Sequence, residues 1–487
     1  MPAGAKTIYR MGRDVASDSQ YWLSWPSVVH AIRGFIADDT TEKTFYTGDG
    51  EPKVTDSTMA LASTPYPTTS RPLGMPPPAS PILVSTDDGE WTEDPETYFY
   101  VYTYVNDWGW ESAPSPVSAQ NDRPADSTAT LSDFATPPPG NYGINRLRIY
   151  RTQVGSSGSA DFFFLREVAL GTQTTSDDKR DLGEVLPTVT WLPAPSDLSY
   201  LTSLWNGMAA GISGGAVRFC EAYTPYAWPI AYDVVPPDAK PVALGVFGQT
   251  LLVLTTARPL VVAGSSPDSM DQQPLEFSQG CVAPRSVASM GSGVVWASED
   301  GLCWYGVGGP RILTSGIMLR EDWQAINPQS IIGKMYEGLY FGSYDDGSGR
   351  KGFFLDPSDP QGIYFVDVGY EALHFDELRD QLYVLSGTEV KKWDAAATFM
   401  TARFKSKAFY SPKPVNFSTG QVIADAYPVS FKLYADGDLK LSLSVQNSNA
   451  FRLPSGFMAQ YWTVELESAT PVLQAAIATS TTEISAV

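Results

Sequence analysis

Residues 242–264 read VALGVFGQTLLVLTTARPLVVAG, and the fold turns on what kind of element this run forms. It is the most apolar stretch of the chain, yet Gly248-Gln249-Thr250 and Arg258-Pro259 interrupt it. A membrane-spanning helix needs about 20 continuous apolar residues. The run therefore reads as strands joined by tight turns. A short apolar strand comes first, then a turn carrying Gly, Asn or Asp. A second, strongly apolar strand follows, then a polar turn, then a third strand ending in an apolar or aromatic pair.

The same grammar recurs in LTSLWNGMAAGISGGAVRFCE from Leu201, VASMGSGVVWASEDGLCWYG from Val287, IIGKMYEGLYFGSYDDGSGRKGFFLD from Ile331 and ALHFDELRDQLYVLSGTEVKKWD from Ala372. With Val242 the starts are 41, 45, 44 and 41 residues apart. A repeat of this length with about four strands per unit is the signature of β-propeller blades. One small sheet cannot bury both of its faces alone, and stacking sheets around an axis buries each against its neighbours. Second strands such as Leu251–Leu254 and Val294–Ala297 are continuous apolar runs, as strands covered on both faces should be. The segment Lys43–Gly50 resembles one more strand and turn. The expected fold is all-β, a propeller of about six blades.

The flanks follow other patterns. Residues 1–60 are expected to contribute to the propeller. Residues 61–81, LASTPYPTTSRPLGMPPPASP, read as an extended Pro-rich connector. Residues 82–195 read as an inserted β-sandwich with a fibronectin-III-like rhythm. Its predicted strands are Thr97–Val105, Ile144–Arg151 and Phe162–Val168. Residues 196–399 hold the blades. Residues 400–487 form a further β-rich region, in which Val429–Tyr434 and Trp462–Leu466 are expected to flank the turn Asp436-Gly437-Asp438.

Composition narrows the function. The chain has 487 residues, enough for about two to four domains. Its 33 Lys and Arg against 54 Asp and Glu give a formal charge of −21. Such a chain does not grip nucleic acid by neutralising phosphates. Cys220, Cys281 and Cys303 are odd in number and lack metal-ligand spacing, so each is expected to be a free, buried thiol. The first residues contain no apolar signal-peptide core, and no membrane span is expected.

No motif survives as a catalytic centre. Gly211-Ile212-Ser213-Gly214-Gly215 fits the G-x-S-x-G nucleophile elbow, but AVRFCE after it reads as a strand where the elbow needs a helix. Only His30 and His374 could serve as a base. Ser298–Trp304, SEDGLCW, resembles the Asp-box turn of sialidase-like propellers with one residue fewer between Asp and Gly. Asp87-Asp88-Gly89, Asp345-Asp346-Gly347 and Asp436-Gly437-Asp438 lack the spaced ligand set of a calcium loop and read as hairpin turns. Gly306–Pro310 lacks the Lys-Ser/Thr of a phosphate loop. No catalytic, cofactor-binding or metal-binding residue is assigned, and the chain is expected not to be an enzyme.

Several runs resemble tail proteins of bacteriophages. These are TYFYVYTYVNDWGWESAPSPVS with INRLRIYR, then VRFCEAYTPYAWP with the 242–264 run, and SVASMGSGVVWASEDGLCWYG. They fall between Thr97 and Gly306. Length and a propeller core are similar to the hub or nozzle proteins of short-tailed phages. That resemblance implies a structural subunit of a hexameric ring at the distal end of the tail channel. It implies assembly in the host cytoplasm, residence in the virion and docking to adaptor and fibre proteins. Genomic DNA would pass an acidic lumen without specific binding. The competing readings are a glycan-binding or glycan-cleaving propeller at the virion tip, motivated by the Asp-box and the aromatic residues, and an adaptor that holds fibres through residues 82–195.

Overall fold

The computed structural model describes residues 1–2, 4–12, 17–36, 39–86, 94–124, 127–153, 161–237 and 239–484. The Asp87-Asp88-Gly89 turn lies outside them. Two compact units emerge, Met1–Trp393 and Asp394–Val487. Both are all-β, and the longest described α-helix is Arg320–Ala325.

In the first unit each of the five repeats folds as one antiparallel meander. The 201 repeat forms Ser199–Ser203, Ala209–Ser213 and Ala216–Phe219, extended by a bridge from Val217 to Val234. The 242 repeat forms Pro241–Phe247, Thr250–Thr255, Leu260–Ala263 and Asp271–Pro274. The 287 repeat forms Ala288–Ser289, Gly293–Ala297, Leu302–Gly306 and Arg311–Ile312. Ile332–Tyr336, Leu339–Asp345, Arg350–Leu355 and Tyr364–Val366 make the next sheet. Leu373–Asp376, Gln381–Ser386 and Glu389–Lys392 make the last.

Two more small sheets lie upstream. Lys43–Gly50 contains Thr44–Thr47, which pairs with His30–Arg33 and Lys53–Thr55. The fourth strand is Arg71–Pro72, drawn from the Pro-rich stretch. Thr7–Arg10 and Trp22–Trp25 form a separate pair.

Packing explains why the second strands are so apolar. Along Thr250–Thr255 alternate side chains serve opposite faces. Leu251 and Val253 pack with Ala210, Ile212 and Phe219 of the preceding sheet. Leu252 and Leu254 pack with Val294 and Trp296 of the following one. Val295 and Ala297 then meet Tyr340 and Phe353, and Phe341 meets Leu382 and Val384. Tyr383 and Leu385 meet Ile8 and Trp22. Leu23 and Trp25 meet Tyr46. Finally Phe45 and Val54 meet Leu201 and Ala209. This propeller-like succession returns to its start. Each fully buried Leu, Val or Phe contributes roughly 1.5–3 kcal/mol.

Residues 82–195 add two three-stranded sheets. Leu83–Thr86, Ala129–Ser132 and Thr174–Asp177 form one, and Tyr100–Asn106, Ile144–Thr152 and Phe162–Ala169 form the other. The run Thr97–Val105 is not one strand. Glu96–Tyr98 pairs with Asn121–Arg123, whereas Tyr100–Asn106 pairs with Ile144–Thr152. The break is at Phe99, whose N–H donates to Thr152 Oγ1 at 2.9 Å. On the far edge of Tyr100–Asn106 the prolines of ESAPSPVS prevent a regular ladder. Ser112, Ser115 and Ser118 replace it, their hydroxyls accepting from the N–H groups of Tyr104, Tyr102 and Tyr100 at 3.0, 3.1 and 3.0 Å.

In the second unit, Ala459–Ser468 pairs on one side with Ala402–Lys405 and Phe409–Val415 and on the other with Val429–Ala435. The Asp436-Gly437 turn has both residues at positive φ, 49° and 89°, the type I′ geometry of a two-residue hairpin. It joins Val429–Ala435 to Asp438–Val445. The Trp462–Leu466 run therefore lies beside Val429–Tyr434 but across the sheet from the turn's second strand. Thr419–Ala424, Phe451–Arg452 and Val472–Ala478 form a second sheet. Phe431, Leu433 and Trp462 are buried in the core of this unit.

Candidate functional site

The sequence motifs resolve into turns. Ser213 ends Ala209–Ser213, and Gly214-Gly215, with φ of 57° and 84°, turns directly into Ala216–Phe219. No helix follows, and the Ser213 hydroxyl donates to Asp197 at 2.6 Å. Both histidines lie on other strands. Ser298–Trp304 is the hairpin between Gly293–Ala297 and Leu302–Gly306. Ser298 Oγ donates to the Gly301 carbonyl at 2.9 Å, and Asp300 accepts from Gln279 and Arg320 at 2.8 and 2.7 Å. Asp345 and Asp346 accept from the backbone of Gly347 and Ser348, and Asp346 also pairs with Lys351. Gly306 ends a strand, and Gly309 N–H bonds back to its carbonyl.

Cys220, Cys281 and Cys303 are free and buried. Burial pushes each thiol up to about 12, which leaves none reactive near neutrality. Among the described residues no three His, Cys, Asp or Glu side chains converge as a metal site. No described helix is long and apolar enough to cross a membrane.

Chemistry gathers instead where the first strands of the sheets meet. Ser199–Ser203 lies beside His30–Arg33 and Pro241–Phe247, and Leu373–Asp376 lies beside Ile332–Tyr336 and Thr7–Arg10. These strands wall the middle of the circuit. His30 stacks on Tyr200 with ring centroids 4.0 Å apart. His374 meets the edges of Tyr9 and Trp22 at 5.3 and 5.6 Å. Burial, with the Lys334 ammonium close by, lowers both imidazoles to about 3. They are neutral near pH 7, and neither is poised as a base.

One end of this inner space is strapped across. Arg285, on the turn before Ala288–Ser289, donates to the Lys6 carbonyl and pairs with Glu371, both at 2.8 Å. Glu371 also takes Arg350 Nε at 2.6 Å, and the Tyr200 hydroxyl donates to the Pro284 carbonyl at 2.7 Å. These bonds tie together segments that belong to different sheets of the circuit. Sequence reading weighed His30 and His374 only as bases and passed over Lys334. A lone Lys in the apolar strand IIGKMY was the available signal.

A second concentration lies on the Asp394–Val487 unit. Phe404, Phe409, Tyr410 and Tyr461 are 60%, 52%, 57% and 50% exposed on adjoining strands, with Phe404 and Phe409 opposite Leu466 and Trp462 on one face of the sheet and Tyr410 opposite Tyr461 on the other. Arg403, Lys405, Lys407 and Lys413 stand among them, and residues 395–424 contain no carboxylate. Glu467 and Glu465 of the paired strand stand opposite Arg403 and Lys405, and Arg403 pairs with Glu465 at 2.8 Å.

No family model matches the sequence, and no curated protein matches it. Solved structures with some likeness include the WD40 domain of Toxoplasma gondii coronin, 10% identical, with a TM-score of 0.28 over 83% of this chain and 90% of that one. Citrobacter koseri AztD is 11% identical, with a TM-score of 0.28 over 77% and 100%. Porphyromonas gingivalis PorZ, a surface component of a type-IX secretion system, is 12% identical, with a TM-score of 0.27 over 89% and 72%. Overlap this loose carries no argument about role, and the propeller-like fold rests on the sheets themselves.

Proposed function

We propose that this chain is a structural subunit of a bacteriophage tail, one copy in a hexameric nozzle or hub ring at the distal DNA exit. The observation that carries the reading is the exposed aromatic strand surface of the Asp394–Val487 unit. Exposed aromatic side chains gathered on the edge strands of one sheet suit contact with a partner. Cations on one surface of an otherwise acidic chain suit docking to an acidic face of the next copy, the head-to-tail contact that closes a ring. The five repeat sheets and the two N-terminal sheets of the first unit are read as seven blades, and residues 82–195 as an inserted sandwich that docks adaptor or fibre proteins. DNA would run through the assembled ring and not along the strapped centre of one chain. Net negative charge would let it slide, with fields screened beyond about 10 Å.

Electron microscopy of virions with the labelled chain tests this. A ring of copies at the tail's distal end is the expected result, and absence from particles rejects the reading. The exposed Tyr410–Tyr461 pair, 5.1 Å apart, favours glycan binding as the second reading. A glycan array distinguishes it, since binding lost in Tyr410→Ala would support a sugar platform.

A further inference from the structure

A cavity of about 710 Å³ opens where the strand Trp22–Trp25 meets the Pro-rich stretch. Its volume falls within the roughly 300–1,000 Å³ of small-molecule sites. Tyr21, Trp22 and Tyr66 supply aromatic wall, and Gln20, Ser24 and Thr64 supply polar groups. No Asp, Glu, Lys or Arg side chain lines it among the described residues. A second cavity of about 440 Å³ shares Ser19 and Trp22 with the first, so the space continues beyond one compartment.

The frame of the cavity is fixed by hydrogen bonds. Ser24 N–H donates to the Tyr66 carbonyl at 3.0 Å, which holds the loop carrying Thr64 and Tyr66 against the strand. That loop is closed on itself, because Ser63 N–H donates to the Thr68 hydroxyl and Thr68 N–H to the Ala60 carbonyl, both at 2.9 Å. The Trp22 indole N–H is anchored on the Asp18 carbonyl at 2.7 Å. Tyr21 holds a φ of 64°, a left-handed conformation that a bulky residue keeps only under constraint and that recurs at ligand clamps. The Ser24 hydroxyl is buried without a partner, and Gln20 and Thr64 are exposed to the solvent that fills the cavity.

We propose that this cavity binds an uncharged oligosaccharide, with Tyr21 and Tyr66 against the C–H faces of its rings and Gln20 and Thr64 bonded to its hydroxyls. A pyranose ring has an apolar C–H face and a rim of hydroxyls that each donate and accept. Aromatic side chains match the face, and amide and hydroxyl side chains match both roles of the rim. A charged ligand would find no counter-ion in this wall. A Pro-rich peptide would bring carbonyl acceptors but few N–H donors, and would leave the acceptors of Gln20 and Thr64 unused. The continuation into the second cavity gives room for more than one ring. This site is independent of the ring assembly proposed above and of the Tyr410–Tyr461 pair.

The full chain is titrated calorimetrically with neutral trisaccharides of glucose, galactose, mannose and N-acetylglucosamine, and with octaproline. At least one of the sugars is expected to saturate a single site. Gln20→Ala and Thr64→Val should each weaken its binding about fivefold, the worth of one neutral hydrogen bond. Both positions are exposed, so the thermal midpoints of the two variants should stay at the native value. Tyr410→Ala should bind the sugar as the native chain does. The proposal is overturned if none of the sugars binds, if octaproline binds more tightly than all of them, or if Gln20→Ala and Thr64→Val bind as the native chain does. Binding lost in Tyr410→Ala would move the site to the other unit and overturn it as well.

Discussion

Arg123 Nη2 and Asp177 Oδ2 meet at 2.6 Å with side chains 1% and 0% exposed. The same oxygen accepts from Arg151 Nη1 at 2.6 Å and from the Tyr100 hydroxyl at 2.8 Å. Both guanidiniums also stand over the Tyr98 ring, at 4.7 and 4.8 Å. One carboxylate thus compensates two cations sealed between strands. Removing it leaves both unpaired. Asp177→Ala is expected to cost about 3–5 kcal/mol, and Tyr100→Phe about 1 kcal/mol. Urea unfolding followed by tryptophan fluorescence measures the difference, and equal costs would show that Asp177 is not the hub.

Trp296 lies wholly buried between two sheets, with its indole N–H bonded to the Gln279 carbonyl at 3.1 Å. Trp296→Ala is expected to cost about 3–5 kcal/mol through the cavity it leaves. Val307→Ala, at an 86% exposed turn position, should change stability by less than about 0.5 kcal/mol. Chemical denaturation of both variants checks the contrast.

Acid should weaken the first unit before its carboxylates titrate. His30 and His374 have folded values near 3, below the ordinary 6.5. A proton therefore binds the unfolded chain first. The stability these neutral rings confer is complete above pH 6.5 and is lost as pH falls toward about 3. His374→Phe, which keeps an aromatic ring between Tyr9 and Trp22, should flatten the slope of melting temperature between pH 6.5 and about 5. An unchanged slope would place the dependence elsewhere.

Phe404 and Tyr410 are more than half exposed. Replacing both with Ser should leave thermal stability within about 1 kcal/mol while abolishing higher-order species in light scattering. A variant that still assembles would remove this surface from the interface.

How much of this was legible in the sequence depended on what fixed each element. The five repeats were readable because a sheet covered on both faces needs an apolar second strand, as in Leu251–Leu254. Thr7–Arg10 and Trp22–Trp25 were not. Eleven residues separate them in sequence, and their burial depends on Tyr383 and Leu385 more than 350 residues away. The switch at Phe99 escaped for a similar reason, since alternation continues across it and only Thr152 marks the break. The hairpin turn Asp436-Gly437 was evident, but its second strand was misjudged because Asp438–Val445 is more polar than Trp462–Leu466. The stacking of His30 on Tyr200 and of His374 against Tyr9 and Trp22 was likewise hidden, because each pair joins strands of different sheets.

The Trp22 and Tyr383 rings, 4.9 Å apart, also set an order of events in synthesis. The strand pair around Trp22 leaves the ribosome first and finds its covering sheet only after residue 383 follows. At about 5–20 residues per second the delay is roughly 20–70 seconds. During that time Ile8 and Trp22 have no native cover on that side. Such long-range closure is intrinsically slow, so a chaperone that shields the early strand pair should raise the yield of folded chain.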